Sequence, residues 1–305
     1  MNIASIDIGS NTVLLLIASI RDNKLFPILN QYFSPRLGKG LKIGGQISQE
    51  RISKLIDVLN HYKKLIEKHT CQKTIITATN AMRIASNSQE IIDIVKNSLK
   101  MDIEIISGDD EAKLSYLGAA STVPDISEKV VIDIGGGSTE IIYGNEKEIL
   151  FKKSFQTGVV SLTEEFLNTF PYNKDNLQNA YGYINNVFSI LKETIPRKVP
   201  TIAVAGTPTT LSCINQNLKT YDEKKVESSI ITSDELNELF NRLNKLSGEQ
   251  IKTKFGEVVN GREDVLFSGT LILRHIIREI LVDKIIVSGR GLRYGNIIGY
   301  VSIFK

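Results

Sequence analysis

Tryptophan is absent from this chain of 305 residues, and cysteine and histidine number only two and three. Cys71 and Cys213 stand far apart with no metal-ligand spacing. That excludes a disulfide framework and a thiolate zinc site, and leaves two buried thiols in a reducing compartment as the expectation. His61, His69 and His275 show no metal spacing either; the first two share a helical pattern without being i, i+4 neighbours and are expected on the helix surface. The apolar run 13–20 is too short to cross a bilayer, and no signal peptide is visible. The chain is therefore expected to be soluble and cytoplasmic. A large excess of one charge is also lacking: 37 Lys and Arg against 34 Asp and Glu leave a net charge of +3, too little to point to nucleic acid or membrane. Neither is expected as a partner. Hydrophobic residues make up 42%, enough for two cores in domains of ordinary size.

What is present centres on Ile132-Asp133-Ile134-Gly135-Gly136-Gly137-Ser138-Thr139-Glu140. An apolar strand runs into three glycines, and apolar residues resume at Ile141. Glycine has no Cβ to block a ligand and reaches backbone angles that other residues avoid. A turn of this kind, followed by two hydroxyl residues, can converge its N–H groups on phosphate oxygens. Asp133 opens the turn, where a carboxylate can hold a hard cation. Near the N-terminus the same order recurs as Ile6-Asp7-Ile8-Gly9-Ser10-Asn11-Thr12-Val13-Leu14. Self-similarity across more than a hundred residues suggests two related halves, whose turns could face each other across a cleft.

Around these turns the pattern predicts strands at 2–8, 12–20 and 25–33 as a meander, then a glycine-rich basic segment, 35–45. That segment reads equally as a flexible loop or as a substrate contact. Ser48 is a plausible N-cap for an amphipathic helix ending near His69, carried by Ile52, Leu55, Ile56, Leu59, Tyr62, Leu65 and Ile66. A strand at 73–78, helices at 80–85 and 89–99 and a strand at 102–106 follow. Ser107 and Asp110 resemble a capping box at the next helix. The second half repeats the plan with strands at 129–134, 139–143 and 148–156, and helices at 159–169 and 174–194. A strand at 201–205 then opens a helix at Gly206, with Pro208 suited to its first turn. Residues 217–229 read as a surface loop. Helices at 233–245 and 263–281, a strand at 284–288 and a helix at 290–303 complete the chain. Strand–helix alternation after each meander implies an α/β layer structure.

The two turns, together with Ala78-Thr79-Asn80-Ala81-Met82-Arg83, Ser107-Gly108-Asp109-Asp110-Glu111-Ala112, Ala205-Gly206-Thr207 and Ser288-Gly289-Arg290-Gly291-Leu292-Arg293, resemble the exopolyphosphatase/guanosine pentaphosphate phosphohydrolase (Ppx/GppA) family. That family lies within the sugar kinase, Hsp70 and actin superfamily. The resemblance spans nearly the whole chain. It implies an α/β fold of two ribonuclease H-like (actin/Hsp70-type ATPase) domains related by duplication, with an interdomain cleft. The expected domains are 1–122, completed by the helix at about 290–305, and 123–305. The chain resembles a short form that lacks the family's added C-terminal helical domain, from which either a preference for short polyphosphate or frequent release between cuts follows as an expectation.

The resemblance further implies Glu111 as the base that activates water, with Asp109 and Asp110 as helix-start charges. Arg83 is implied as a clamp on a terminal phosphate. Backbone N–H groups of Gly9, Ser10, Asn11 and Thr12, and of Gly135, Gly136, Gly137, Ser138 and Thr139, form the expected phosphate cradle, with hydroxyls of Thr12, Ser138 and Thr139 adding donors. Mg²⁺, or another divalent cation, is expected on Asp133 and Glu140, with Asp7 the alternative. Gly206 and Thr207 match a loop that approaches a nucleoside or shapes the far cleft. Arg293 is a hinge or a phosphate contact; Tyr294-Gly295 stands where the family usually has Glu-Gly. The implied activity is hydrolysis of terminal phosphate from inorganic polyphosphate, or the same chemistry on guanosine pentaphosphate. A non-catalytic nucleotide or polyphosphate sensor and a sugar kinase are the other classes on this fold. A homodimer is among the expected states.

Overall fold

The computed structural model describes residues 1–22, 24–145 and 147–303. These divide into two compact units, one formed by Met1–Gly118 with the chain from Leu292 on, the other by Ala119–Gly291. The sequence-based boundary at 122/123 lies a few residues beyond the first of these crossings.

In the first unit, β1 (Asn2–Ile8) and β2 (Val13–Arg21) are almost continuously apolar and buried, as strands covered on both faces must be. They pair antiparallel. β3 (Lys24–Phe33) forms the edge, and its Pro27 sits beside the register shift at Ile17/Ala18, where a missing N–H costs little. β4 (Lys73–Ala78) lies parallel to β1, and β5 (Glu104–Ile105) parallel to β4, giving the order β3-β2-β1-β4-β5. α1 (Gln49–Lys68) buries Ile52, Leu55, Leu59, Tyr62 and Ile66 at three- and four-residue spacing. The Tyr62 hydroxyl donates to the Val13 carbonyl at 2.9 Å, so its burial leaves no polar atom stranded. Ser48 occupies the N-cap position without a side-chain cap bond. α2 (Asn80–Ile84) is a single short turn, α3 (Ser88–Leu99) ends on Lys100 in the left-handed conformation, and α4 (Gly108–Ala120) follows β5.

The second unit repeats this order. β6 (Lys129–Ile134), β7 (Thr139–Gly144) and β8 (Ile149–Phe155) form the meander; α5 (Val159–Phe166), α6 (Lys174–Phe188) and α7 (Leu191–Thr194) precede β9 (Thr201–Val204). α8 (Gly206–Asn215), α9 (Glu223–Val226), β10 (Ile230–Thr232), α10 (Ser233–Leu243), α11 (Gly248–Phe255) and α12 (Leu266–Glu279) lead to β11 (Lys284–Val287). The sheet order β10-β11-β9-β6-β7-β8 contains the first sheet's plan, with β10 added at the edge. α13 (Leu292–Ile303) belongs to the first unit: Tyr294 and Ile297 pack on Ile3, Leu16 and Ala18, and Asn296 donates to Ser5 and Thr77 hydroxyls at 3.1 and 3.0 Å.

Several expectations need correction. The helix expected over 174–194 breaks after Phe188, where the Ser189 hydroxyl donates to the Asn186 carbonyl and competes with the helical bonds. The expected loop 217–229 contains α9, capped by Asp222 through the Lys224 N–H. β10 and α11 have no counterpart in the sequence-based reading. A three-residue edge strand carries too little pattern to read, whereas α11 announces itself through a Ser247/Gln250 capping box. Cys71 is partly exposed rather than buried, whereas Cys213 is buried. Both are free thiols.

Candidate active site

The two turns are geometric copies. In the first, the Gly9 N–H donates to the Thr12 carbonyl at 2.9 Å; in the second, Gly135 N–H donates to the Ser138 carbonyl at the same distance. A Cβ on either glycine would sit 3.0 Å from that acceptor. Different neighbours then orient the peptides. The Ser10 and Asn11 carbonyls accept from Gly38 N–H at 2.7 Å and Arg36 N–H at 3.1 Å. The Gly135 and Gly136 carbonyls accept from the first N–H groups of α5, Val159 at 3.0 Å and Val160 at 2.7 Å. In a trans peptide the following N–H points opposite to the carbonyl. Asn11 and Thr12 in one turn, and Gly136 and Gly137 in the other, thus have their N–H groups turned away from these supports. Those N–H groups lie on the side of each turn away from its supports.

Gly158 makes the second arrangement possible. A Cβ there would meet the Gly136 carbonyl carbon and oxygen at 2.5 Å. The basic segment after Pro35 does the same work for the first turn, since a Cβ on Gly38 would meet the Ser10 Cβ at 2.8 Å. That segment is tied down as well at its far end, through Gly44 N–H to Ile84 and Ser86 N–H to Gly45. It is a structured support and not a loose loop.

The hairpin register sets the acidic pair. Asp133 faces Glu140 directly across β6 and β7, and Glu140 faces Ser154 across β7 and β8. Direct partners share one face of a sheet, so the two carboxylates are neighbours. The Ser154 hydroxyl donates to Glu140 Oε1 at 2.6 Å, and Glu140 is fully buried. In the first turn the residue opposite Asp7 is Leu14, so only the second copy has an acidic pair. The Thr139 hydroxyl, expected as a phosphate donor, instead donates to the Thr157 carbonyl at 2.6 Å inside the sheet. Ser10, Asn11 and Ser138 are buried.

In the first unit, Arg83 and Glu111 find each other. Arg83 Nη1 donates to Glu111 Oε2 at 2.7 Å and to the Ile106 carbonyl at 2.9 Å. Glu111 lies in the first turn of α4, where the helix dipole favours a negative charge. Ser107 caps this turn by accepting from the Asp110 N–H at 3.1 Å, while its hydroxyl donates to the Asp110 carboxylate at 2.6 Å. Asp110 is thus engaged in capping. The Arg83 side chain is 17% exposed and the Glu111 side chain 10%, so this is no surface ion pair. Among the described residues, Arg83 Nη2 is buried with no hydrogen-bond partner. The guanidinium therefore keeps a second donor for a planar acceptor such as a phosphate.

At the carboxyl end of β9, Ala205 adopts φ 75° and ψ −166°, a conformation costing about 1–3 kcal/mol for a residue with a Cβ. Gly206 follows, and a Cβ on it would meet the Arg262 guanidinium carbon at 2.7 Å. Arg262 Nη1 also donates to Thr210 at 3.2 Å. Thr207 is buried beside Gly269. Arg293 lies in the first turn of α13 in the first unit, and its charge acts on the Tyr62 hydroxyl, whose pKa burial pushes up. Within the second unit, then, Gly135–Ser138, Asp133, Glu140 and Gly206 cluster at one end of the sheet; within the first, Gly9–Thr12, Arg83 and Glu111 do. The contribution of Gly158 had no signal in the sequence beyond residue type, whereas Gly38 and Ala205 lay within segments that stood out without showing this role.

Residues 16–303 match the model of the Ppx/GppA phosphatase family. Among curated proteins, the bifunctional 3-dehydroquinate synthase/phosphatase of Fusobacterium nucleatum is 33% identical over 93% of this chain, which spans only 44% of that relative's length. Exopolyphosphatase 2 of Mycobacterium tuberculosis is 28% identical, with 94% of each chain covered. Among solved structures, the Ppx/GppA family member of Aquifex aeolicus superposes with a TM-score of 0.84 at 31% identity, covering 100% of this chain and 99% of that one. An exopolyphosphatase from Cytophaga hutchinsonii superposes with a TM-score of 0.92 at 28% identity, with the same coverage. The two sheets of like strand order are those of the actin/Hsp70-type two-domain fold, and the chain belongs to the Ppx/GppA phosphatase family.

Proposed function

We propose that this protein is an exopolyphosphatase, which cleaves the terminal phosphoanhydride of inorganic polyphosphate with water. The observation that carries the reading is the pair of glycine turns whose carbonyls are held from behind and whose N–H groups are thereby presented to an anion. Phosphoryl transfer asks little covalent chemistry of a protein; positioning and charge stabilisation do most of the work. The turns supply the positioning. Arg83 offers its remaining donor to an oxygen of the terminal phosphate. Glu111 accepts a proton from the attacking water as its oxygen bonds to phosphorus, and the bridging oxygen leaves with the shortened chain. The pairing of Arg83 with Glu111 sets base and clamp side by side, so the water and the phosphate it attacks are presented together. Weakening either turn should slow phosphate release.

The residues fit a hard divalent cation. Among the described residues there is no cluster of three or more His, Cys, Asp or Glu of the kind that holds a zinc ion. Mg²⁺ keeps several waters and needs only one or two carboxylates, which Asp133 and Glu140 present on a common face. When bound it would neutralise charge on the phosphate oxygens. The first turn, with Leu14 opposite Asp7, is the poorer site.

The test is phosphate release measured in parallel from polyphosphate, guanosine pentaphosphate and ATP, with Mg²⁺ present. Fastest turnover on polyphosphate is expected. Release from the pentaphosphate alone would make the protein a guanosine pentaphosphate phosphohydrolase by the same chemistry. Binding of either without release would make it a sensor.

A further inference from the structure

Glu227 lies in the polar run before β10, far in sequence from every motif above. Its carboxylate is nevertheless saturated with donors. Oε1 accepts from the Thr122 hydroxyl at 2.7 Å and the Ser288 hydroxyl at 2.8 Å; Oε2 accepts from the Gly289 N–H at 2.8 Å. Arg290 Nε stands 3.6 Å from Oε1. The Ser288 oxygen in turn accepts from the Arg290 N–H at 2.9 Å. The turn after β11 is therefore built around one carboxylate. The side chain of Glu227 is only 14% exposed, so these bonds are largely shielded from water.

Two ladders bring Glu227 there. Ser228 N–H donates to the Val287 carbonyl, and Val287 N–H to the Ser229 carbonyl, which fixes the start of β10 against the end of β11. Ser288 N–H donates to the Ala203 carbonyl on β9, and β9 lies parallel to β6 with Val204 opposite Asp133. A line thus runs across the carboxyl ends of the strands from Glu227 through the Ser288–Gly291 turn to Asp133. At its far end Gly291 faces Asp133: a Cβ there would be 3.7 Å from Asp133 Oδ2. The carboxyl ends of strands are where open α/β sheets place their ligands.

We propose that Glu227 is a positioning residue for phosphate release: by fixing the Ser288–Gly291 turn it fixes the wall against which Asp133 is set. The inference rests on the function proposed above. Glu227 also bonds both stretches of chain that lead to the unit boundaries, through Thr122 on one side and Ser288 and Gly289 on the other. No neutral residue serves equally well. Alanine removes the acceptor that these three donors share in a shielded place and lets the Thr122 and Ser288 hydroxyls, 2.7 Å apart, turn to each other, whereas glutamine keeps one oxygen for Gly289 and lets the two hydroxyls accept from its amide.

The experiment compares wild type, Glu227→Ala, Glu227→Gln and Thr122→Val, each checked for fold by its thermal transition. Steady-state phosphate release from polyphosphate and amide hydrogen exchange over 288–291 are measured on all four. A small misplacement of a reacting group costs on the order of 10- to 100-fold in rate. Glu227→Ala is expected to lower kcat by about that factor with KM little changed, and to speed exchange in the turn. Glu227→Gln should restore most of both, and Thr122→Val should fall between. If Glu227→Ala does not fold, the other two variants decide. Wild-type kcat in folded variants, or a loss of stability with no change in kcat, overturns the positioning role. A wild-type protein that releases phosphate from none of the substrates overturns the proposed function, and this inference with it.

Discussion

Glu111 and Arg83 act on each other before either acts on a ligand. The two are 28 positions apart, and the ion pair at 2.7 Å is what sets the proposed base in place. Glu111→Gln keeps the size and loses the proton acceptor, so kcat is expected to fall by ~10²–10⁴-fold while binding survives. Asp109→Asn, in the same helical turn, should change kcat far less. Near-normal phosphate release by Glu111→Gln would reduce Glu111 to a helix-start charge. A second residue carries a pH signature. Burial, seconded by Lys192 and Arg278 and opposed by Glu279, pulls the His275 imidazole below its ordinary value of 6.5. Its folded-state pKa is depressed, so the unfolded chain binds the proton first as pH falls. The stability it contributes is full above pH 6.5 and is lost as pH drops toward the folded value. The thermal midpoint should decline from pH 7 to pH 5, and His275→Gln should flatten that decline.

Among elements, the glycine turns depend on what stands behind them. α5 begins against Gly135 and Gly136, and only a glycine at 158 allows its N–H groups to come so close. Gly158→Ala must push α5 off the turn, because the atoms it would meet are backbone. It is expected to reduce kcat/KM for polyphosphate by at least ~10-fold, in proportion to the lost orientation of the Gly136 and Gly137 amides. Gly182, inside α6, is different: a Cβ added there would meet nothing within 4 Å. Gly182→Ala should therefore stabilise the protein by about 0.5–1 kcal/mol with activity unchanged. Opposite results for the two, in melting and in kinetics, would mean that the turn is not held by α5. The hairpin itself was legible in advance: a strand, a four-residue glycine-rich turn and a second strand put Asp133 opposite Glu140 by counting. What stood behind the turn was not, since Gly158 lies beyond another strand.

For the molecule as a whole, the return of the chain to the first unit rests on one close helix crossing. α13 crosses α4 so closely that a Cβ on Gly295 would overlap the Leu114 carbonyl. Gly295→Ala is expected to destabilise the protein by about 1–3 kcal/mol through overpacking, seen as a lower denaturation midpoint. An unchanged midpoint would show that α13 moves freely on the first sheet. Packing of α13 on the first sheet also explains the residue that stands here. The resemblance to the family left Tyr294 unexplained, but its ring is buried between Ile3, Leu16 and Ala18, and its hydroxyl accepts from Asn30 at 3.3 Å.

Local pattern alone was enough for the strands and helices with strong period, such as β1, β4, β6 and α1, because burial of one face or both leaves a pattern that neighbours in the chain already show. It was enough for the duplication too, since Asp-Ile-Gly recurs at the same place relative to the strands. Folding in three dimensions set everything that depends on partners distant in sequence. Arg83 pairs with Glu111 across α3 and β5, Gly38 and Gly158 orient the turns, and Thr139 turns its hydroxyl inward to Thr157. Glu227 is the clearest case: within its own segment it is one acid among several polar residues, and only the pairing of β10 with β11 brings it to Ser288 and Gly289. Hydrogen bonds and close backbone approaches of this kind leave no periodicity in the chain, so no pattern of residue types can announce them.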